Sequence, residues 1–109
     1  MSEDLAGRCT VVLDLDGVRD KAGLMDRVAR ALALPDWFGR NWDALADSLS
    51  DHTVWPAGAV ERGLLIVVRG WQPYAEARPG EWRTAQDVLG EAVDRTAALA
   101  VVLALGGSS

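Results

Sequence analysis

The fold is decided by the stretch Leu64-Leu65-Ile66-Val67-Val68-Arg69, a continuous run of apolar side chains closed by one arginine. Such a run is typical of a strand in a parallel sheet that helices cover. A second run, Thr10 to Asp16, is rich in valine and ends at Gly17, and a third spans Ala98 to Leu105. We therefore expect three strands.

The segments between these strands have helical spacing of apolar residues. The first predicted helix starts at about Asp20 and stops at Pro35, and the second runs from about Trp42 to Ser50 behind the N-cap Asn41. A short third helix is expected around Trp71 to Ala77, and a fourth from about Glu81 to Thr96. The order β-α-α-β-(α)-α-β predicts an α/β domain with a three-stranded parallel sheet and right-handed crossovers.

Length and composition indicate a single domain over residues 1–109, with residues 1–9 and 106–109 expected to be flexible. The one cysteine, Cys9, forms no internal disulfide, which fits a reducing compartment. The longest apolar run is about half of the roughly 20 residues that a membrane helix needs. We therefore expect a cytoplasmic protein without a membrane partner.

The net charge of −5 argues against direct binding of nucleic acid, which requires Lys and Arg to neutralise phosphates. It fits a basic protein partner, although many ordinary soluble proteins are equally acidic.

Two carboxylates lie on the polar side of the second predicted helix. Asp43 and Asp47 are four residues apart, so their Cβ atoms lie about 5–6 Å from each other and the charges repel. Asp43 falls in the first turn, where an acid complements the helix dipole. Asp47 is expected mid-helix and has no Lys or Arg three or four residues away. The pair is either a solvated acidic face or a binding site.

Two aromatic residues, Trp37 and Phe38, stand together between Pro35 and Gly39. Aromatic side chains on such a loop either cover the core or anchor an interface. The residues alone leave both interpretations open.

The stretch from Leu32 to Leu49 reads LALPDWFGRNWDALADSL. It resembles the signature of the barstar family, intracellular inhibitors of the ribonuclease barnase: Leu-Pro, two aromatics, Gly, Asn, then Asp-Ala-Leu and a second Asp. The similarity runs ungapped for about 25 residues, from Leu32 to Pro56, and the element order of the rest of the chain agrees. The resemblance implies a three-stranded parallel sheet packed with helices.

The resemblance also implies a mechanism, in which the acidic helix fills the basic cleft of a ribonuclease and imitates phosphate charge. Asp43 and Asp47 match the acidic positions, and Asp47 matches the one that enters the phosphate site. The other implied contacts with the enzyme come from Trp37 and Phe38, which flank the cleft, and from Gly39, Asn41 and Glu91. The implied partner is a basic extracellular-type ribonuclease, bound in a 1:1 complex. We expect this protein to be a monomer when it is unbound, and to have no cofactor or metal.

Several positions depart from the family pattern. Ala46 stands where the family usually has Trp between the two acids, and His52 replaces another frequent Trp; we keep both as partner-binding positions. Arg95 replaces an acidic residue, so Glu91 either contacts the partner or pairs with Arg95. Several residues are inserted near 57–63. These changes indicate a ribonuclease other than barnase.

Two alternatives come from other classes. The end of the first strand, Asp14-Leu-Asp16-Gly17, resembles the first motif of Mg²⁺-dependent haloacid-dehalogenase-type phosphatases, but the Ser or Thr, the later Lys and the later acidic pair of those enzymes lack counterparts. A strand end followed by a turn or helix cap explains both aspartates. Cys9 and His52 are too few for a zinc site. We therefore expect a protein that is not an enzyme.

The second alternative is a regulatory module that binds some other basic protein.

Overall fold

The computed structural model describes residues 7–34, 38–39, 41–56 and 58–104, without the side chain of His52. The strands are β1 (Cys9–Asp14), β2 (Leu64–Arg69) and β3 (Leu99–Leu103). The helices are α1 (Lys21–Ala31), α2 (Trp42–Leu49), α3 (Ala59–Arg62), α4 (Gln72–Ala77) and α5 (Pro79–Arg95), and a 3-10 turn spans His52–Val54. No helix among these residues has the length and apolar character needed to cross a bilayer.

The three strands form one parallel sheet in the order β1-β2-β3. This confirms the predicted mixed α/β fold and its parallel sheet. β2 lies in the centre and pairs with both neighbours, which explains why its side chains are apolar almost without interruption.

The two faces of the sheet differ. On one face, apolar side chains from the strands line the same small cavity as side chains from α1, α2 and α5: Val11, Leu13 and Ile66 with Val28, Leu45, Leu49 and Leu89. On the other, the in-register row Val12, Val67 and Val102 reaches solvent, and Val12 is 51% exposed. Strands that are consecutive in the chain are also adjacent in the sheet. Right-handed crossovers therefore put the connecting helices on the same side of the sheet. We call the second face the open face.

Element ends differ from expectation at several points. Cys9 was expected in a flexible segment, but it begins β1 and its N–H donates to the Gly63 carbonyl at 2.9 Å. Of the ends expected to be flexible, residues 1–6 and 106–109 lie outside the described residues. The inserted segment contains α3, a single turn of helix that was not predicted.

The turn after β2 lies against the turn after β1. Gly70 has φ +66, and a Cβ atom there would lie 2.9 Å from Asp14 Oδ1 and 2.9 Å from the Asp16 nitrogen. Any other residue at this position would be strained and would push the two turns apart.

A candidate protein-binding surface on helix α2

Helix α2 has one face in the core and one in water. Leu45 and Leu49 are each only 1% exposed, so both face the core. Asp43 and Asp47 are exposed. The helix packs against α5 through its buried side, so apolar contacts fix the helix that carries the two carboxylates.

Asn41 is the N-cap of this helix, as predicted. Its Oδ1 accepts the Ala44 N–H at 2.8 Å, and its Nδ2 donates to the Gly39 carbonyl at 3.3 Å. A Cβ atom on Gly39 would lie 3.1 Å from Asn41 Nδ2, so the glycine allows the loop to approach the cap closely. Gly39 and Asn41 are both exposed beside the start of the acidic face. Their contact with a partner stays a prediction.

The end of α2 corrects one expectation about Asp47. Because the helix ends at Leu49, Asp47 lies in its last turn rather than mid-helix. No basic residue occupies that turn. A carboxylate there faces the negative end of the helix dipole and destabilises the turn.

All four of the last carbonyls of α2 nevertheless have donors. The Ser50 N–H donates to Ala46 and Asp47, each at 3.2 Å, and the Asp51 N–H donates to Ser48 at 3.3 Å. The third donor is a side chain: Trp55 Nε1 donates to the Leu49 carbonyl, the fourth of these acceptors, at 3.1 Å. These are the groups that a helix end leaves without intrahelical partners.

The two carboxylates of the acidic face are not paired with cations among the described residues. Within the described part of the chain, neither Asp43 nor Asp47 forms an ion pair. A cation does contact the start of the same helix: Lys21 Nζ lies 5.9 Å from the centroid of the Trp42 ring. This cation–π contact joins the first turns of α1 and α2.

The remaining predicted contact residues divide into described and undescribed positions. Phe38 is only 5% exposed and belongs to the core, and its contact with a partner stays a prediction. Ala46 is half-buried on α2. Trp37 and the side chain of His52 lie outside the described residues.

Glu91 lies on α5, the helix that packs against α2. Its Oε2 is 3.8 Å from Arg95 Nη2, and both side chains are more than half exposed. The pairing that the spacing allowed is therefore present. Such a surface pair contributes only about 0.3–0.5 kcal/mol, so it does not hold Glu91 back from another cation.

Asp14 and Asp16 lie in the turn that follows β1, where the Asp14 side chain has a structural role. The Asp16 N–H donates to Asp14 Oδ1 at 3.0 Å, which is the hydrogen bond of a turn that follows a strand. The two residues line a cleft of about 530 Å³ on the open face, together with Arg69 and Gln72. Across the described ranges, no group of three or more His, Cys, Asp or Glu side chains is arranged to hold a metal ion.

Sequence reasoning missed Trp55 and the Lys21–Trp42 contact. A tryptophan six residues beyond the end of a short acidic helix gives no periodic signal, because its partner is a backbone carbonyl. The contact of Lys21 joins the first turns of two successive helices, and no pattern within either helix reports it.

The fold is that of a small α/β domain that carries two exposed carboxylates on one helix. The family model of barstar, described as the barnase inhibitor, matches residues 9–106. The chain therefore belongs to the barstar family. No curated protein matches the sequence.

Proposed function

We propose that this protein is an intracellular inhibitor of a basic, extracellular-type ribonuclease, which it binds one to one through the exposed face of α2. The observation that carries the proposal is the pair Asp43 and Asp47, exposed on a helix whose opposite side is fixed in the core. The match to a family of barnase inhibitors supports a ribonuclease as the target.

The chemistry of the two sides is complementary. A ribonuclease that cleaves RNA must hold phosphates with cationic side chains, and those cations attract carboxylates in the same way. Asp43 and Asp47 lie one turn apart, so they present two negative charges about 5–6 Å from each other at the Cβ atoms. We infer that they occupy the places of RNA phosphates.

Preorganisation favours tight binding. Leu45 and Leu49 hold α2 against the core, and Asn41 caps its first turn. A surface that is already ordered loses little conformational entropy on association. The free carboxylates also gain an ion pair in the complex without breaking one among the described residues.

The shape around the acids differs from the family pattern at Ala46. A methyl group there leaves room that the frequent tryptophan of the family would fill. We therefore propose a target whose rim carries a bulkier side chain opposite Ala46, rather than barnase itself.

The test compares Asp47→Ala with Asp16→Ala. Purified variants are titrated into barnase and into secreted microbial ribonucleases with basic clefts, and RNA cleavage and calorimetric affinity are measured. Wild type should block one of these enzymes, and Asp47→Ala should weaken inhibition more than any other single carboxylate removal, because the cations of the cleft would be left buried without a partner.

Asp16→Ala is the matched control. It removes the same side chain and the same charge, but Asp16 lies at the cleft on the open face, away from α2. Affinity equal to wild type is expected. If Asp47→Ala inhibits as well as wild type while Asp16→Ala does not, the surface has been assigned to the wrong side of the sheet.

A further inference from the structure

Trp55 connects the segment after α2 to the end of that helix. The side chain is only 7% exposed and lies in the core, and its Nε1 donates to the Leu49 carbonyl at 3.1 Å. Leu49 is the last residue of α2, and its carbonyl accepts from a side chain, whereas those of Ala46, Asp47 and Ser48 accept from backbone N–H groups.

The end of α2 has particular need of this bond. The helix has only eight residues, so its last turn is half of its length. That turn contains Asp47, whose carboxylate opposes the helix dipole, and it holds no basic residue that would compensate. The remaining donors, Ser50 and Asp51, are backbone groups that would move with a fraying end.

We propose that Trp55 is a positioning residue for Asp47: its indole N–H fixes the last turn of α2 and so holds the carboxylate where the target binds it. The inference rests on the proposed function and identifies a residue that acts on the same site through Asp47, without itself contacting the ribonuclease. A population of frayed helix ends would lower the apparent affinity in proportion to the fraction that remains ordered.

The experiment compares Trp55→Phe with Trp71→Phe. Each substitution keeps an aromatic ring and removes one indole N–H that donates to a backbone carbonyl, since Trp71 Nε1 donates to Ala104 at 2.9 Å. A net hydrogen bond of this type corresponds to a factor of about two to ten in an equilibrium. Trp55→Phe should weaken ribonuclease binding by about that factor. Trp71→Phe should not, because the bond that it removes ends at Ala104, directly after β3.

Two further measurements separate positioning from general loss of stability. Amide hydrogen exchange in the free protein should speed up at Ser50 and Asp51 in Trp55→Phe but not in Trp71→Phe. In an Asp47→Ala background, Trp55→Phe should no longer lower the affinity, because the group it positions is gone.

Equal loss of affinity in both backgrounds, or unchanged exchange at Ser50 and Asp51, would overturn the inference. If wild type inhibits no ribonuclease, the proposed function fails, and the exchange rates still decide whether Trp55 fixes the turn. Should Trp55→Phe fail to fold, replacing Trp55 by β-(3-benzothienyl)alanine keeps the bicyclic ring and removes only the donor.

Discussion

At the scale of single residues, α2 assigns stability and binding to different positions. Leu45 is buried among side chains from the sheet and from α1 and α5, whereas Asp43 and Asp47 project into water. Substitutions on the two sides of this helix should therefore separate cleanly in experiments.

Leu45→Ala should lower the free energy of unfolding by about 2–5 kcal/mol, because it removes buried methyl groups and leaves a cavity. Asp47→Ala should leave stability unchanged or raise it slightly, since it removes a repulsion and alanine is the better helix former. Urea melts of both variants measure the difference. A small loss for Leu45→Ala and a large one for Asp47→Ala would mean that the faces are reversed.

Tyr74 is the protein's one tyrosine, and its side chain is fully buried. Burial raises the pKa of Tyr74 well above its usual value, and the hydrogen bond to Glu81 Oε1 at 3.0 Å and the charge of Glu81 act in the same direction. The folded protein therefore keeps this phenol protonated at pH values at which the unfolded chain ionises it.

Stability should consequently fall above about pH 10, where the unfolded tyrosine loses its proton and the folded one does not, with a slope approaching about 1.4 kcal/mol per pH unit. Below that pH the contribution of Tyr74 is fully present. Tyr74→Phe should lack this slope in melts taken from pH 9 to 11. Tyrosinate absorbance near 295 nm should appear only as the protein unfolds, and its appearance near pH 10 in folded protein would contradict the raised pKa.

The residues that the sequence identified correctly are those whose roles depend on local spacing. The helix α2 and its exposed acids follow from helical periodicity, and Asn41 follows from capping preference. Phe38 was left open between core and interface because burial depends on neighbours distant in sequence, and the structure places its ring in the core. Trp55 could not be found because its partner is a main-chain atom.

At the scale of the element, the two ends of α2 are stabilised in different ways. The first turn depends on a side chain directly before the helix, Asn41, and the last turn depends on Trp55 from beyond the following 3-10 turn. The first type of cap is readable from sequence, whereas the second requires the tertiary fold.

Asn41→Ala should lower the free energy of unfolding by about 1 kcal/mol, because the Ala44 N–H loses its acceptor. Asn41→Asp is the matched control, since a carboxylate accepts the same bond and should retain most of the stability. Denaturant melts and helical circular dichroism check both variants. Equal losses for the two would show that the bond from Asn41 Nδ2 to Gly39, rather than the cap, provides the stability.

The strands and the longer helices were predictable because their apolar patterns run for several residues. Helix α3 was not, because Ala59–Arg62 is too short to show a period and follows Gly58, which has φ +88. Cys9 was excluded from β1 because the strand begins with a register against β2, and register is a property of two segments rather than one.

At the scale of the whole molecule, the acidic surface of a chain with net charge −5 should accelerate association with a basic enzyme. The association rate constant should fall as salt rises, because counterions screen the charges. Stopped-flow measurements over a series of salt concentrations test this. Asp43→Ala should flatten the dependence more than Asp16→Ala does, and a rate constant independent of salt would argue against steering.

The parallel sheet also has a mechanical consequence. The chain enters the sheet at Cys9, at the amino end of β1, and leaves it at Leu103, at the carboxyl end of β3. With β2 between them and all three strands parallel, tension applied at these two points pulls the outer strands in opposite directions along their own axes. The interstrand hydrogen bonds are then loaded together in shear instead of being opened one after another, so the sheet should resist extension from its ends far better than peeling from an edge.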